Sequence, residues 1–423
     1  MKSLFFMAQT GGSGSGSVGI AGQQGFGVGP YPGDAADYEA LGLQPMDGCD
    51  DPASDNYGNY IHTNGSIVCC VPWHLIRSGH DTAPSYSRDG ANALEVIDYD
   101  ETLEGKDGWF LPRAFIDGGE IKKAYFIDKY LNSKSADGKQ AVSVKNGDPI
   151  SLTTNTSYNN SNTLPNCVGQ LRDAITLGKA RGTGWSCISM AIWADLSMLS
   201  LAHGQAAASA DFCAWYDANH QTNFPKGNNV SDSLKDTNDS TITFTATAYS
   251  AAYSKAGSGV PFAKTTHNGQ NCGICDVNGN KYQMVIGVSW VNGHNAPLKE
   301  SYKIAEITYE NITTTAMYED PGEASGGNKW GNGANGVFFT ETTGPKKALN
   351  GMYAKSTGQS STGTALFGND YDVSVGSPSY APFVGGNVGD GAGAGVFYRA
   401  YNGGGGWTNY YDGYGCRAAG YAP

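Results

Sequence analysis

The chain has 423 residues, of which 39% are hydrophobic and only 16% charged, with 60 glycines, 25 tyrosines and a formal net charge of −12. A length of this order suggests two or three domains, and the aromatic content excludes a chain disordered throughout. The negative charge, unrelieved by any Lys/Arg run, argues against nucleic acid as a partner, and no stretch approaches the roughly eighteen apolar residues of a membrane span.

Met1–Ala8 opens like a signal peptide, but its apolar core ends too early and glycines follow at once, so export by this route is not expected. Residues 9–30 are low in complexity and glycine-rich. They read either as a floppy arm or as a segment that orders only on docking into a larger assembly. The acidic run Asp50-Asp51-Pro52-Ala53-Ser54-Asp55-Asn56 lacks EF-hand spacing and reads as a loop of Asx turns. Tyr60–Thr63 and Ser66–Val71 flank Asn64-Gly65, which predicts a hairpin with a two-residue primed turn.

A strand is expected over Ala124–Tyr130, then two helices. Val168, Leu171, Ile175 and Leu177 lie near one face of the first, at 168–181. The second, at 187–201, places Ile188, Ile192, Leu196 and Leu199 on one face, with Ser186 as a candidate N-cap. Residues 219–270 and 319–380 are polar and poor in charge, too long for ordinary connections, and read as insertions. Strands are predicted at Tyr282–Val288 and Tyr302–Tyr309. Helices early and strands with long loops late indicate an α+β fold.

The nine cysteines form no dense framework and read as mostly free thiols in a reducing compartment. Cys272-x-x-Cys275 reads as a turn bearing two thiols, since zinc needs two further ligands at suitable spacing. The seven histidines form no HExxH pattern, and the glycine runs lack the Lys-Ser/Thr of a phosphate loop. No catalytic residue, metal or cofactor is expected.

Residues 381–423 contain thirteen glycines and six tyrosines, with no lysine or glutamate. Such a segment makes a surface more readily than a core. Tyrosine offers stiff, amphipathic contact area, while Gly, Ser and Asn offer adaptable hydrogen bonding, as in antibody binding loops.

Several motifs together resemble the C-type lectin fold of the formylglycine-generating enzyme group: Tyr125–Tyr130 as its opening strand, the helical pair, Asn271–Asn280 as its N-x-x-G-L-x-D-M-x-G-N hairpin, and Gly385-Gly386 with Gly415-Cys416-Arg417 as its terminal elements. Asp51–Tyr60 and Ala394–Arg399 are more similar to one branch, the variable proteins of diversity-generating retroelements found in phage tails. The resemblance implies a small Gly-rich and β N-terminal attachment region over 1–100, then a C-type lectin-like ligand-binding domain over 101–423 with long insertions and a variable segment at 381–423. The chain departs from the enzyme: Cys416 is the only cysteine after Cys275, so the copper-binding pair is missing.

In the retroelement branch, adenines of a template are mutagenised, so Asn codons drift towards Tyr, Asp, Ser, Thr and Gly. By that rule the candidate variable contacts are Asn387, Asp390, Tyr398, Tyr401, Asn402, Thr408, Asn409, Tyr410, Tyr411, Asp412 and Tyr414. Trp407 is unreachable from Asn by adenine changes; by the same resemblance it is expected to be scaffold or a fixed anchor, and it is counted with the ligand-binding residues. The implied function is a phage tail receptor-binding protein for a bacterial surface receptor, protein or glycan. The implied partners are other tail proteins held through the N-terminal region and two further copies in a homotrimer, in a virion assembled in the host cytoplasm. An oxidase of the same fold and a tail-associated glycan hydrolase, which would need two carboxylates across a cleft, are the alternatives.

Overall fold

A computed structural model describes residues 16–218, 224–323, 325, 328–329, 337–355, 371–372 and 375–423. In chain order the elements that position the C-terminal segment are β1 (Leu43–Pro45), β2 (Asn59–His62), β3 (Ile67–Pro72), β4 (Ala124–Asp128), α1 (Asp173–Lys179), β5 (Trp185–Cys187), α2 (Met190–Ala206), β6 (Tyr282–Met284), β7 (Ala381–Val384), β8 (Arg399–Asn402), β9 (Tyr414–Gly415) and β10 (Ala418–Gly420). The fold is α+β. One six-stranded sheet has the order β1-β2-β3-β4-β10-β5. The other runs from Asn328–Lys329 and Tyr371–Asp372 through β8, β7 and β6 to β9. The first sheet joins strands on either side of residue 100, so the N-terminal hairpin and the last strand of the chain share one ladder system.

Two residues, Cys416 and Arg417, carry the chain from one sheet to the other. Arg417 is fully buried there. Its guanidinium donates to Gln283 Oε1 (2.9 Å), the Asp128 carbonyl (2.6 Å) and the Cys275 carbonyl (2.7 Å), so it ties the sheets together through the hairpin at 271–280. The Asp128 carboxylate is equally buried. It accepts two bonds from Arg181 (2.6 and 2.9 Å), one from Asn132 and one from the Ala418 amide. A buried charge is costly unless paired, and the Asp128 carboxylate is paired with the Arg181 guanidinium, although Arg181 Nε has no hydrogen-bond partner.

Helix α2 crosses the interior. Ser189, not Ser186, is its N-cap, accepting from the Ile192 amide (3.2 Å); Ser186 lies in β5 opposite Ala419. Ile192, Leu196 and Leu199 are buried as their spacing predicts, but so is almost every other side chain of the helix. Trp193 Nε1 donates to the Val396 carbonyl (2.8 Å), and Arg399 Nη2 donates to Ser197 Oγ (2.8 Å), fastening the C-terminal segment to the helix.

The first helix is shorter than its periodicity predicts. Asp173 accepts from the Val168, Gly169 and Gln170 amides and from Ser161 Oγ, which holds 168–172 in a non-helical cradle and leaves Val168 44% exposed rather than in the core. At the β2–β3 hairpin only Gly65 takes a positive φ (87°), so the turn is not the primed two-residue type. The Asn64 side chain accepts from the Ser66 amide in place of adopting that conformation. The strand expected over 302–309 is a 3-10 turn at Ile304–Glu306, held by Asp117 accepting from the Ile304 amide and Asn311 from the Thr308 amide. The strand predicted at 282–288 stops at Met284; Gly287 (φ 84°) turns the chain into a separate hairpin of Val288–Val291 with His294–Pro297.

Residues 16–30 do not wait for a partner. Val18, Phe26 and Val28 are fully buried in the chain's own core. The Gly22 amide donates to His203 Nδ1 (3.0 Å), the Gly25 amide to Gln270 Oε1 (2.7 Å), and Phe26 stacks on His203 at 5.2 Å. Residues 9–15 of that stretch lie outside the described residues. Among the described residues no helix is long and apolar enough to cross a membrane, and no group of three His, Cys, Asp or Glu side chains is placed to hold a metal ion.

Candidate binding surface

The turn that leaves β8 and returns to β9 is rich in glycine, yet its backbone is pinned along its length. The Arg172 amide donates to the Trp407 carbonyl (3.0 Å) and the Leu171 amide to the Asn409 carbonyl (2.9 Å), so the start of α1 props one limb. On the other limb the Tyr411 amide donates to the Leu152 carbonyl, and the Leu152 amide to the Tyr414 carbonyl. Side chains brace the interior: Asn409 Nδ2 donates to Asn402 Oδ1 (2.9 Å), and Asn402 Nδ2 to the Tyr414 hydroxyl (3.2 Å). Gly406 shows why glycine is needed. Its φ is 52°, and a Cβ there would fall on the Ser379 carbonyl oxygen.

On this frame Tyr410 is 58% and Tyr411 51% exposed, the most exposed tyrosines of the C-terminal segment. Thr408 is exposed beside them; Tyr401, Asn402, Asn409, Asp412 and Asp390 are half-buried. Tyr401 is stacked on Tyr380 at 4.9 Å. The remaining predicted contacts face inward, which corrects their assignment to an exposed surface. Tyr414 and Tyr398 are buried against Tyr282 and Phe383, with centroids 5.1 Å (Tyr414) and 5.9 Å (Tyr398) from the Tyr282 ring. Asn387 is buried and accepts from the Gly389 amide. Trp407 is also buried, a support for the turn rather than a group that a ligand can touch.

Burial pushes the Tyr414 phenol up to about 12 and raises the Asp390 carboxyl, which accepts from the Tyr282 hydroxyl and the Asn387 amide. These groups are internally engaged, which leaves the outer tyrosines and amides as the groups turned to solvent.

Other segments extend the patch, and composition of the C-terminal segment alone could not reveal them. Tyr158 and Tyr253 meet edge to face at 6.1 Å, and the Tyr253 hydroxyl closes over Gly413. Asn155 Nδ2 donates to the Asp412 carboxylate (3.2 Å). Beneath them Lys281 is buried, donating to Ser151 Oγ (2.8 Å) and to the Asp412 carbonyl (2.6 Å), with Nζ 3.8 Å from the centre of the Tyr253 ring. The sequence signal available was a polar stretch around 151–163 and an insertion at 219–270, neither distinctive without the fold.

The arrangement brings together stacked and exposed aromatic faces, side-chain amides and hydroxyls on a braced backbone. It can bury apolar area and offer directional hydrogen bonds to a ligand. No family model matches the chain, and no curated protein matches it. Among solved structures the chain is similar to one named Major Tropism Determinant U1 Variant, at 11% identity and a TM-score of 0.28, over 84% of this chain and 63% of that chain. The chain thus spans less than two thirds of that structure's length, and a likeness this loose assigns neither a fold family nor a function.

Proposed function

We propose that this chain is a non-enzymatic binding protein that recognises a bacterial surface ligand through the face built by Tyr410, Tyr411, Thr408, Asn409, Tyr401 and Asn402, as a phage tail receptor-binding protein. The observation that supports this is the exposure of Tyr410 and Tyr411 on a turn pinned from both limbs. Large aromatic rings left in water cost solvation, and a rigid mount lowers the entropy lost when a ligand covers them. The sequence resemblance to the variable proteins of the C-type lectin fold points the same way. The chain works in the virion as a homotrimer with other tail proteins at its N-terminal side, and no residue is given a catalytic role.

The test is adsorption of the purified chain to bacterial cells of a permissive strain. Tyr410→Ala and Tyr411→Ala together are expected to weaken binding at least about thirtyfold, the size of a hot-spot loss of about 2 kcal/mol. Their melting temperature should stay unchanged. A double variant that adsorbs as well as the parent overturns the assignment of this face.

A further inference from the structure

We propose that Lys281 is a positioning residue of the tyrosine face: its buried amine is the peg that seats the turn at 411–415. The inference rests on the reading of this face as the binding surface, but its test uses no ligand.

Lys281 lies one residue before β6, under the turn. Its partners are neutral: Ser151 Oγ, the Asp412 backbone carbonyl and the Tyr253 ring. The Asp412 carboxylate is turned towards Asn155 instead. The aliphatic stem is walled in as well, since a Cβ at Gly415 would come 3.3 Å from Lys281 Cδ. The titratable groups on the surrounding elements are few. Asp412, Tyr411 and Tyr414 lie on the turn itself, Tyr158 on the segment after Ser151, Tyr253 in the insertion with Asp232 towards it, and Tyr282 on β6 with Asp390 beyond. Burial and the mutual proximity of these groups raise the Tyr253, Tyr282 and Tyr414 phenols, so none of the three supplies a countercharge near neutral pH.

An ammonium in a dry site is unfavourable when the nearby carboxylate, Asp412, is engaged by Asn155 rather than by the amine. Burial accordingly pushes Lys281 down from its ordinary 10.5 to about 7, with Asp412 offsetting part of the effect. When the turn lifts, the amine meets water and regains its ordinary value. Between about 7 and 10.5 the lifted turn therefore binds more protons than the seated one. Raising pH through that window seats the turn more firmly, and lowering it loosens the turn. Below about 7 both states are charged and the effect levels off.

Amide hydrogen exchange on the full chain, corrected for intrinsic rates, reads this directly at about pH 7 and about pH 8.5. The reporters are the amides of Tyr282, Tyr411 and Tyr414, which donate to the Gly413, Leu152 and Tyr411 carbonyls. Relative to core amides such as Phe126, their protection is expected to rise about tenfold over that interval. Lys281→Met carries no proton and should abolish the rise; Lys281→Arg stays charged and should remain in the loosened state at both values. A turn-to-core ratio independent of pH in the parent, or a rise retained in Lys281→Met, overturns the proposal. If Lys281→Met fails to fold, nitrogen-15 titration of the parent lysine decides: an apparent value near 7 supports the proposal and one near 10.5 overturns it. Should Tyr410→Ala and Tyr411→Ala leave adsorption intact, the binding assignment fails while this exchange profile stands.

Discussion

Between Trp407 and Tyr414 a short run of the chain holds aromatic side chains with opposite duties. Trp407 is 4% exposed and packs in the main core, whereas Tyr410, three residues on, is 58% exposed. Truncating a buried tryptophan removes its transfer energy and leaves a cavity, so Trp407→Ala is expected to cost about 3–5 kcal/mol. Tyr410→Ala should stay within about 0.5 kcal/mol of the parent. Urea denaturation of the two variants checks the contrast, and equal midpoints would remove the distinction between support and contact. The resemblance to the retroelement branch sets Trp407 apart, because in that branch codon drift from Asn cannot produce it. It could not separate Tyr410 and Tyr411 from Tyr398 and Tyr414. Tyrosine suits both core and surface, and the burial of the latter two depends on Tyr282 and Phe383, which arrive from other strands of the sheet.

At the scale of elements, the segment at 16–30 shows where local reading stops. Its glycines predict a chain without structure of its own, and that remains true: what orders it is supplied by distant side chains, His203, Asn268 and Gln270. Helix α2 and strand β4 are legible because long apolar runs declare themselves, whereas the apolar pattern at 302–309 gives no strand because side-chain bonds from Asp117 and Asn311 hold its backbone amides instead. The histidines behind the segment give it a pH dependence. His203 accepts from the Gly22 amide at Nδ1 while its Nε2 faces the Phe212 carbonyl, and His267 accepts from the Ile274 amide at Nδ1. Both rings must be neutral to do so. Burial lowers His203 to about 4 and His267 to about 3.

Their contribution is thus complete above the unfolded value near 6.5 and declines as pH falls towards the folded values. The loss is on the order of 3 kcal/mol or more for each ring. His74 behaves oppositely. Burial alone would lower it, but Asp195 outweighs this, and both its ring nitrogens face acceptors, Asp195 Oδ1 and the Pro72 carbonyl. Its raised value places its loss of stabilisation on the alkaline side, so it does not mask the acid effect. Protection of the amides at residues 18–28, corrected for intrinsic exchange rates, should therefore fall between about pH 6.5 and about pH 4.5, ahead of the β3–β4 amides. Protection unchanged over that interval would show that the histidines do not hold the segment.

At the scale of the whole molecule, two sheets meet at Arg417, and the face with Tyr410 and Tyr411 leaves from the strand next to that junction. Each face is small. A handful of tyrosines and amides, with little charge, gives contacts whose individual strength is modest and whose pattern tolerates substitution. Under the proposed receptor-binding role, such a face gains most when several identical copies are presented at once, because linked copies convert the second contact into an intramolecular one and raise avidity without any new interaction. Closed cyclic symmetry provides the linkage with no open end. The N-terminal segment does not supply the reason for assembly, since its residues 16–30 are already spent on the chain's own core. Avidity does. The full-length protein is accordingly expected to elute with a light-scattering mass three times the 44.4 kDa of the chain. Dilution until the trimer dissociates should reduce adsorption to cells more than in proportion to concentration. A single-chain mass at micromolar concentration, with adsorption strictly proportional to dose, would mean that one face alone binds tightly enough and that the trimer is not needed.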